Sequence, residues 1–158
     1  MQIRTHTPSD YQQLAELRWL LKAEDEPTLS DSDRDRFARD YGEQLRLSDA
    51  LGDTVHWVID DMPLLSAAVT IRVVRKELSP HADTAAWGYL TNMFVRKGLR
   101  GRGLGTELLK HAVDWAAAKD LELLIVWPSE RSYAFYRRAG FCGESDPLEL
   151  LLEKIAAS

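Results

Sequence analysis

The stretch Val95-Arg96-Lys97-Gly98-Leu99-Arg100-Gly101-Arg102-Gly103-Leu104-Gly105-Thr106 decides how the rest of the chain reads. A strand-like run, Leu90 to Val95, enters it, and four of the seven residues from 96 to 102 are basic. Glycines stand at 101, 103 and 105, and a helical pattern follows. A strand that feeds a glycine-rich turn and then a helix N-terminus forms an anion cradle. The first N–H groups of the helix have no intrahelical acceptor, and the helix dipole places partial positive charge there. Glycine lets a phosphate reach the backbone with no Cβ in the way.

Two nucleotide spacings fail on this stretch. The dinucleotide pattern G-x-G-x-x-G, started at Gly101, needs a third glycine where Thr106 stands. A Walker loop started at Gly98 reaches Gly103 but then meets Leu104 and Gly105 in place of Lys and Ser or Thr. A basic surface turn made flexible by glycine remains as the competing reading of the stretch taken alone.

Composition narrows the classes. A chain of 158 residues is one domain, 1–158, large enough to bury a core. Arg4 and His6 stand where a signal peptide has its apolar run, and no stretch approaches the roughly 18 apolar residues of a membrane span. The lone Cys142 excludes an internal disulfide and any metal-type Cys spacing, and no histidine spacing suggests metal ligation. A cytoplasmic protein without metal or membrane partner is expected. Residues 24–49 hold nine acidic against four basic residues, a local balance of −5 that equals the net charge of the chain. One basic turn on an acidic protein suits a small anionic ligand and not nucleic acid, which needs a broad basic face. The acidic loop Glu24-Asp25-Glu26 reads either as a solvated helix end or as an attractor for a cationic acceptor.

In chain order, Ile3–Thr7 reads as a strand, and Ser9 with Gln12 offers a capping box for a helix carrying Leu14, Leu17 and Leu21. A second helix is predicted from Ser30 to Gly52. Val55–Ile59 alternates at period two, as do Leu65, Ala67, Val69, Ile71 and Val73, which predicts an antiparallel hairpin with those five side chains on one face. Glu77–Ala86, containing His81, reads as a loop, Trp87–Val95 as a strand, and Leu104 to about Lys119 as a helix. Leu121–Trp127 is predicted as a strand buried on both faces, making a strand-helix-strand crossover. A helix from Ser129 to Gly140 follows, with Tyr133 assigned to packing, and strands over 141–144 and 148–153 close the chain. His56 and His111 fall in regular elements without an assigned role, and Cys142 reads as a small apolar residue at a strand start.

This order, together with Arg100-x-x-Gly103-x-Gly105, resembles the GNAT superfamily of N-acyltransferases, whose acyl-CoA signature is Gln/Arg-x-x-Gly-x-Gly/Ala. A second stretch, Ser129-x-x-Ser132-x-x-Phe135-Tyr136-x-x-x-Gly140-Phe141, is similar to the family's Asn-x-x-Ala-x-x-Leu-Tyr-x-x-x-Gly-Phe. The resemblance implies an α/β fold with a mixed central sheet of about six or seven strands, about four helices and a splayed central parallel pair. It implies acetyl-CoA as co-substrate. The pantetheine arm would lie along the backbone of Met93, Phe94 and Val95. The pyrophosphate would lie on the N–H groups of Gly101, Arg102, Gly103, Leu104, Gly105 and Thr106, with charge from Arg100 and Arg102. Tyr136 would donate a proton to the departing thiolate, since a phenol with a reference pKa near 10 is protonated at neutral pH.

Two departures from the family pattern matter. Ser129 replaces the usual Asn at a position that contacts the pantetheine or an ordered water, and Trp87–Val95 lacks the Glu that many relatives use to accept the amine proton. Glu24, Asp25, Glu26 and Tyr89 are the remaining candidates for that role. Transfer of acetyl to a primary amine of a small molecule or peptide, by direct attack in a ternary complex, is the activity the resemblance implies. An acyl-CoA-binding sensor with little or no turnover is the alternative. Family dimers are common, so a homodimer is one expectation.

Overall fold

The computed structural model describes residues 1–80 and 86–143. The chain divides into two compact units, Met1–Trp127 and Pro128–Ser158. The first holds one mixed sheet of five strands, in spatial order β1 (Gln2–Thr5), β2 (Thr54–Asp61), β3 (Leu64–Arg75), β4 (Ala86–Val95) and β5 (Leu124–Ile125). The first four pair antiparallel, and β4 pairs parallel with β5.

Helices α1 (Tyr11–Ala23) and α2 (Asp31–Leu51) cover one face, and α3 (Leu104–Ala118) covers the other. The alternation in β2 sorts its residues between them. Trp57 meets Trp115 of α3 edge-on at 4.9 Å, whereas Val58 joins Leu14, Leu17, Leu45, Ala68 and Phe94 in the core under α1 and α2. Leu104, Leu108, Leu109, Ala112 and Ala116 give α3 its buried stripe. Burying a Leu, Val or Phe side chain contributes about 1.5–3 kcal/mol each, so these two layers hold the sheet.

Several boundaries differ from the sequence expectations, each for a physical reason. The chain enters α1 through a short 3₁₀ turn, Pro8–Asp10, and the box is closed by Thr7 and Asp10, not by Ser9 and Gln12. Asp10 accepts from the Thr7 backbone N–H at 2.7 Å and from Arg4 at 2.7 Å, which pulls its carboxyl below the usual range. Gln12 is exposed, while Gln13 accepts the Leu65 N–H at 2.7 Å. A register shift sets Ile59 opposite Ala67 but Asp60 opposite Leu65, so Ser66 is the extra residue. Leu65 therefore turns from the face of Ala67 and Val69 into the core with Leu14 and Leu17.

Strand β5 is shorter and less buried than Leu121–Trp127 suggests. Only Leu124 and Ile125 join the ladder, and Leu123 and Trp127 are exposed. The two strands meet tightly there, since a Cβ on Gly88 would lie 2.5 Å from Leu124 Cδ2. Helix α2 ends as expected, with Gly52 in the left-handed region at φ 69°. In the second unit a 3₁₀ turn, Glu130–Ser132, leads into α4 (Tyr133–Arg138), and Gly140 follows at φ 93°. Residues 141–143 are irregular and Cys142 is exposed, so its assignment as a small apolar strand residue does not hold. The rest of the two closing strands, and His81, fall outside the described residues.

Under α2 the sheet face turns polar. His56 Nδ1 lies 2.8 Å from Thr70 Oγ1, and its Nε2 is buried without a partner. Burial, with the neighbouring His6 adding to it, pushes the His56 imidazole from 6.5 down to about 4. An unfolded chain therefore binds more protons than the folded one between these values, and stability is full above pH 6.5 and falls as pH drops toward 4. Urea unfolding should show a loss of about 2 kcal/mol between pH 7 and pH 5, with a shallower decline in His56→Gln.

Candidate active site

The site begins where β4 leaves β5. Their pairing covers Gly88 with Leu124 and Tyr89 with Ile125, and past Tyr89 no strand among the described residues pairs that edge of β4, which runs on to Val95. A second irregularity bends β4 in the same region. Ala68 faces Phe94 and Thr70 faces Thr91, so Asn92 and Met93 together oppose the single residue Val69. Asn92 takes the left-handed conformation, φ 55°, an uncommon one for a residue with a side chain. Its Nδ2 donates to Tyr41 Oη at 2.8 Å and more weakly to Thr70 Oγ1 at 3.4 Å. Nothing in the local sequence signals this bulge, because its anchor, Tyr41, comes from another helix.

From Val95 the chain passes through a 3₁₀ turn, Lys97–Leu99, into α3. Gly101 and Gly103 stand at φ 77° and 81°, where an L side chain is strained. Gly103 is the N-cap of α3 and offers no side-chain acceptor, so the first N–H groups of the helix are left for an external anion. Beyond their own neighbours in the chain, no atom of the described residues lies within 4 Å of the place a Cβ on Gly101 or Gly103 would take. This open, glycine-lined turn suits a pyrophosphate.

The basic charge of the turn is largely spent within the protein. Arg96 bonds the Leu65 carbonyl through Nε at 2.8 Å and pairs with Glu16 at 3.1 Å. Arg100 donates to the Val95 carbonyl at 2.9 Å, pairs with Glu24 at 2.6 Å, and lies 5.3 Å over the Phe94 ring. Lys97 is 3.9 Å from the same Glu24, whose side chain is only 8% exposed. The expectation that Arg100 serves the phosphate directly meets this prior engagement. Arg102 is exposed and enters none of the ion pairs among the described residues. The α1 carboxylates, Glu16 and Glu24, thus brace the turn.

The other expected site residues take distinct places. Phe94 is buried in the core under α1, while Met93 and Val95 are half-buried. Leu104 is buried, and Gly105 and Thr106 open the first turn of α3. Tyr89 packs edge-on against Trp127 at 5.2 Å. Of the candidate bases, Glu24 is held by Arg100, and no residue of β4 is acidic. In the second unit Ser129 caps the 3₁₀ turn, and its Oγ lies 3.1 Å from Ser132 Oγ. Tyr136 is 6% exposed, with the Phe135 and Phe141 rings edge-on at 5.1 and 5.4 Å. Tyr133, expected to pack, is 50% exposed.

If the turn holds the expected pyrophosphate, the added side chain of Gly103→Val enters the open space beside it, and acetyl-CoA affinity should fall at least tenfold by titration calorimetry. Far-UV circular dichroism should stay near wild type. Undiminished affinity would place the phosphates elsewhere.

Comparison with known proteins bears on this geometry. A model of the Acetyltransferase (GNAT) family matches residues 12–141. No curated protein matches the chain in sequence. Among solved structures, the chain is similar to a predicted acetyltransferase with acetyl-CoA from Clostridium acetobutylicum, with a TM-score of 0.77, 21% identity and 95% of each chain covered. A GCN5-related N-acetyltransferase from Ralstonia eutropha gives a TM-score of 0.76 at 20% identity over 99% of each chain. Glucosamine-6-phosphate N-acetyltransferase from Arabidopsis thaliana gives 0.68 at 21% identity, over 96% of this chain and 98% of that one. These likenesses carry the fold, and the family match over residues 12–141 carries membership. The chain belongs to the GNAT family of acetyltransferases.

Proposed function

We propose that this protein transfers an acetyl group from acetyl-CoA to a primary amine by direct attack in a ternary complex. The observation that carries the reading is the parting of β4 from β5 directly before an uncapped, glycine-lined helix N-terminus. In this reading the pantetheine arm adds to the freed edge of β4 at Met93, Phe94 and Val95, and the pyrophosphate takes the N–H groups from Gly101 to Thr106. Arg102 adds charge, and Arg100 holds the turn through Glu24. Ser129 supplies a hydroxyl where many relatives have an amide.

The amine nitrogen bonds to the thioester carbon, the carbon–sulfur bond breaks, and the thiolate takes a proton from Tyr136. The amine loses one proton. With β4 free of carboxylates and Glu24 held by Arg100, that proton passes to water once the nitrogen has attacked, solvent restores the Tyr136 proton, and an acceptor that arrives as an ammonium sheds its extra proton to water beforehand. Positioning of two reactants then supplies most of the acceleration.

The missing carboxylate of β4 also favours one alternative, an acyl-CoA-binding module with little or no turnover. Thiol release across a panel of amines separates the two, since tight CoA binding without turnover selects the sensor. Acetyl-CoA at about 100 times its Kd should add about 2.7 kcal/mol. For a chain of this size that is a rise in Tm of roughly 5–10 °C. An unmoved Tm with both CoA and acetyl-CoA would remove the donor site from either reading. Tyr136→Phe should lower kcat by one to two orders of magnitude, a cost of roughly 10²-fold being typical of a lost general acid. KM for acetyl-CoA should change little, and a wild-type kcat would assign the proton to water.

A further inference from the structure

Four arginines are half-buried among the described residues, namely Arg4, Arg18, Arg72 and Arg96. Arg4 is matched by Asp10 and Asp60, and Arg96 by Glu16. Neither Arg18 nor Arg72 enters any ion pair among the described residues. Arg72 finds only a weak bond, 3.4 Å to Ser48 Oγ. Withdrawing a guanidinium from water without a counter-charge is costly, so such a pair marks a place that an anion completes.

Both cations belong to the side of the sheet that α1 and α2 cover. Arg18 comes from α1 and Arg72 from β3, and both lie close enough to Tyr41 of α2 for their charges to oppose the rise that burial imposes on its phenol. Tyr41 in turn is fixed by Asn92 at the β4 bulge. Arg72 is the cross-strand partner of Tyr89, the last residue of β4 paired with β5. The cluster therefore stands beside the strand gap.

That side of the gap is also the open one. Leu90 on the α3 face is fully buried, whereas Tyr89, Thr91 and Asn92 are half-buried and Trp127 is 55% exposed. Asp49 is bonded to His6 and Tyr11, and Glu24 to Arg100.

We propose that Arg18 and Arg72 bind an anionic group of the acceptor, so that the amine acetylated here belongs to a molecule bearing a carboxylate or a phosphate. The inference rests on the acetyl-transfer reading above and names its substrate class.

Initial rates of thiol release with matched acceptors test it. An amino acid against its amide probes a carboxylate, and an amino-alcohol phosphate against the free amino alcohol probes a phosphate. The anionic member of at least one pair should show kcat/KM about tenfold higher or more, carried in KM. Which pair shows it identifies the oxyacid. Arg18→Gln and Arg72→Gln should each reduce that ratio about tenfold, and Arg72→Lys should retain part of it. A ratio within one variant is unaffected by the fraction of active protein, so a partly folded variant still reports. Neutral acceptors used equally well, a ratio that survives both substitutions, or a rise in KM for acetyl-CoA in place of the acceptor would overturn the assignment. Turnover without anion preference defeats this inference alone, while no turnover of any amine defeats the acetyl-transfer reading with it.

Discussion

The site depends on a parallel strand pair that stops after two residues. Backbone N–H and C=O groups rarely stay unpaired when withdrawn from water, and the edge of β4 past Tyr89 has no strand beside it among the described residues. The tight seat of Gly88 against Leu124 and Ile71 fixes where the strands touch, and the extra residue at Asn92–Met93 twists β4 as it departs. An extended ligand with amide groups of its own is the kind of partner such an edge accepts. In the proposed reading, the glycine turn at the end of the same strand sets how far along that ligand its phosphates fall.

Charge in the turn is arranged less simply than a count of basic residues suggests. Three of the four basic residues between 96 and 102 face carboxylates of α1. The cradle is therefore built chiefly from backbone N–H groups and the α3 dipole, with Arg102 the one basic side chain not already paired. Glu24 stands at the C-terminal end of α1, and its near-complete burial means the pair with Arg100 is screened less than a surface pair. Through it the end of α1 and the phosphate turn hold each other in place, which makes Arg100 a strut before it is a ligand.

The turn that carries the proposed donor half was legible in the sequence because it is local. The stretch from Val95 to Thr106 is continuous, Gly101 and Gly103 sit at positive φ, and the strand and helix around it have clear periodicity. What escaped notice requires contacts distant in sequence. The bulge at Asn92 is held by Tyr41, the brace on Arg100 comes from Glu24, and Leu65 changes face because of a shift opposite Ile59 and Asp60. Even the brevity of β5 is a tertiary effect, since Leu121–Trp127 is apolar enough for a longer strand but parts from its partner after Ile125.

The acceptor half is illegible for the same reason, carried further. The face of the sheet under α1 and α2 is apolar toward Val58, Ala68 and Phe94, and polar toward His56, Thr70 and Arg72. No single segment displays that division, because each strand contributes one residue in two to it. A core needs only the apolar part, and the polar part lowers stability only below pH 6.5, where the buried His56 imidazole resists the proton that an unfolded chain would take. Two half-buried guanidinium groups with no carboxylate partner among the described residues, near a tyrosine tied to the bulge, give that polar part a direction. They favour a negative group at the far end of the molecule whose amine reaches the gap.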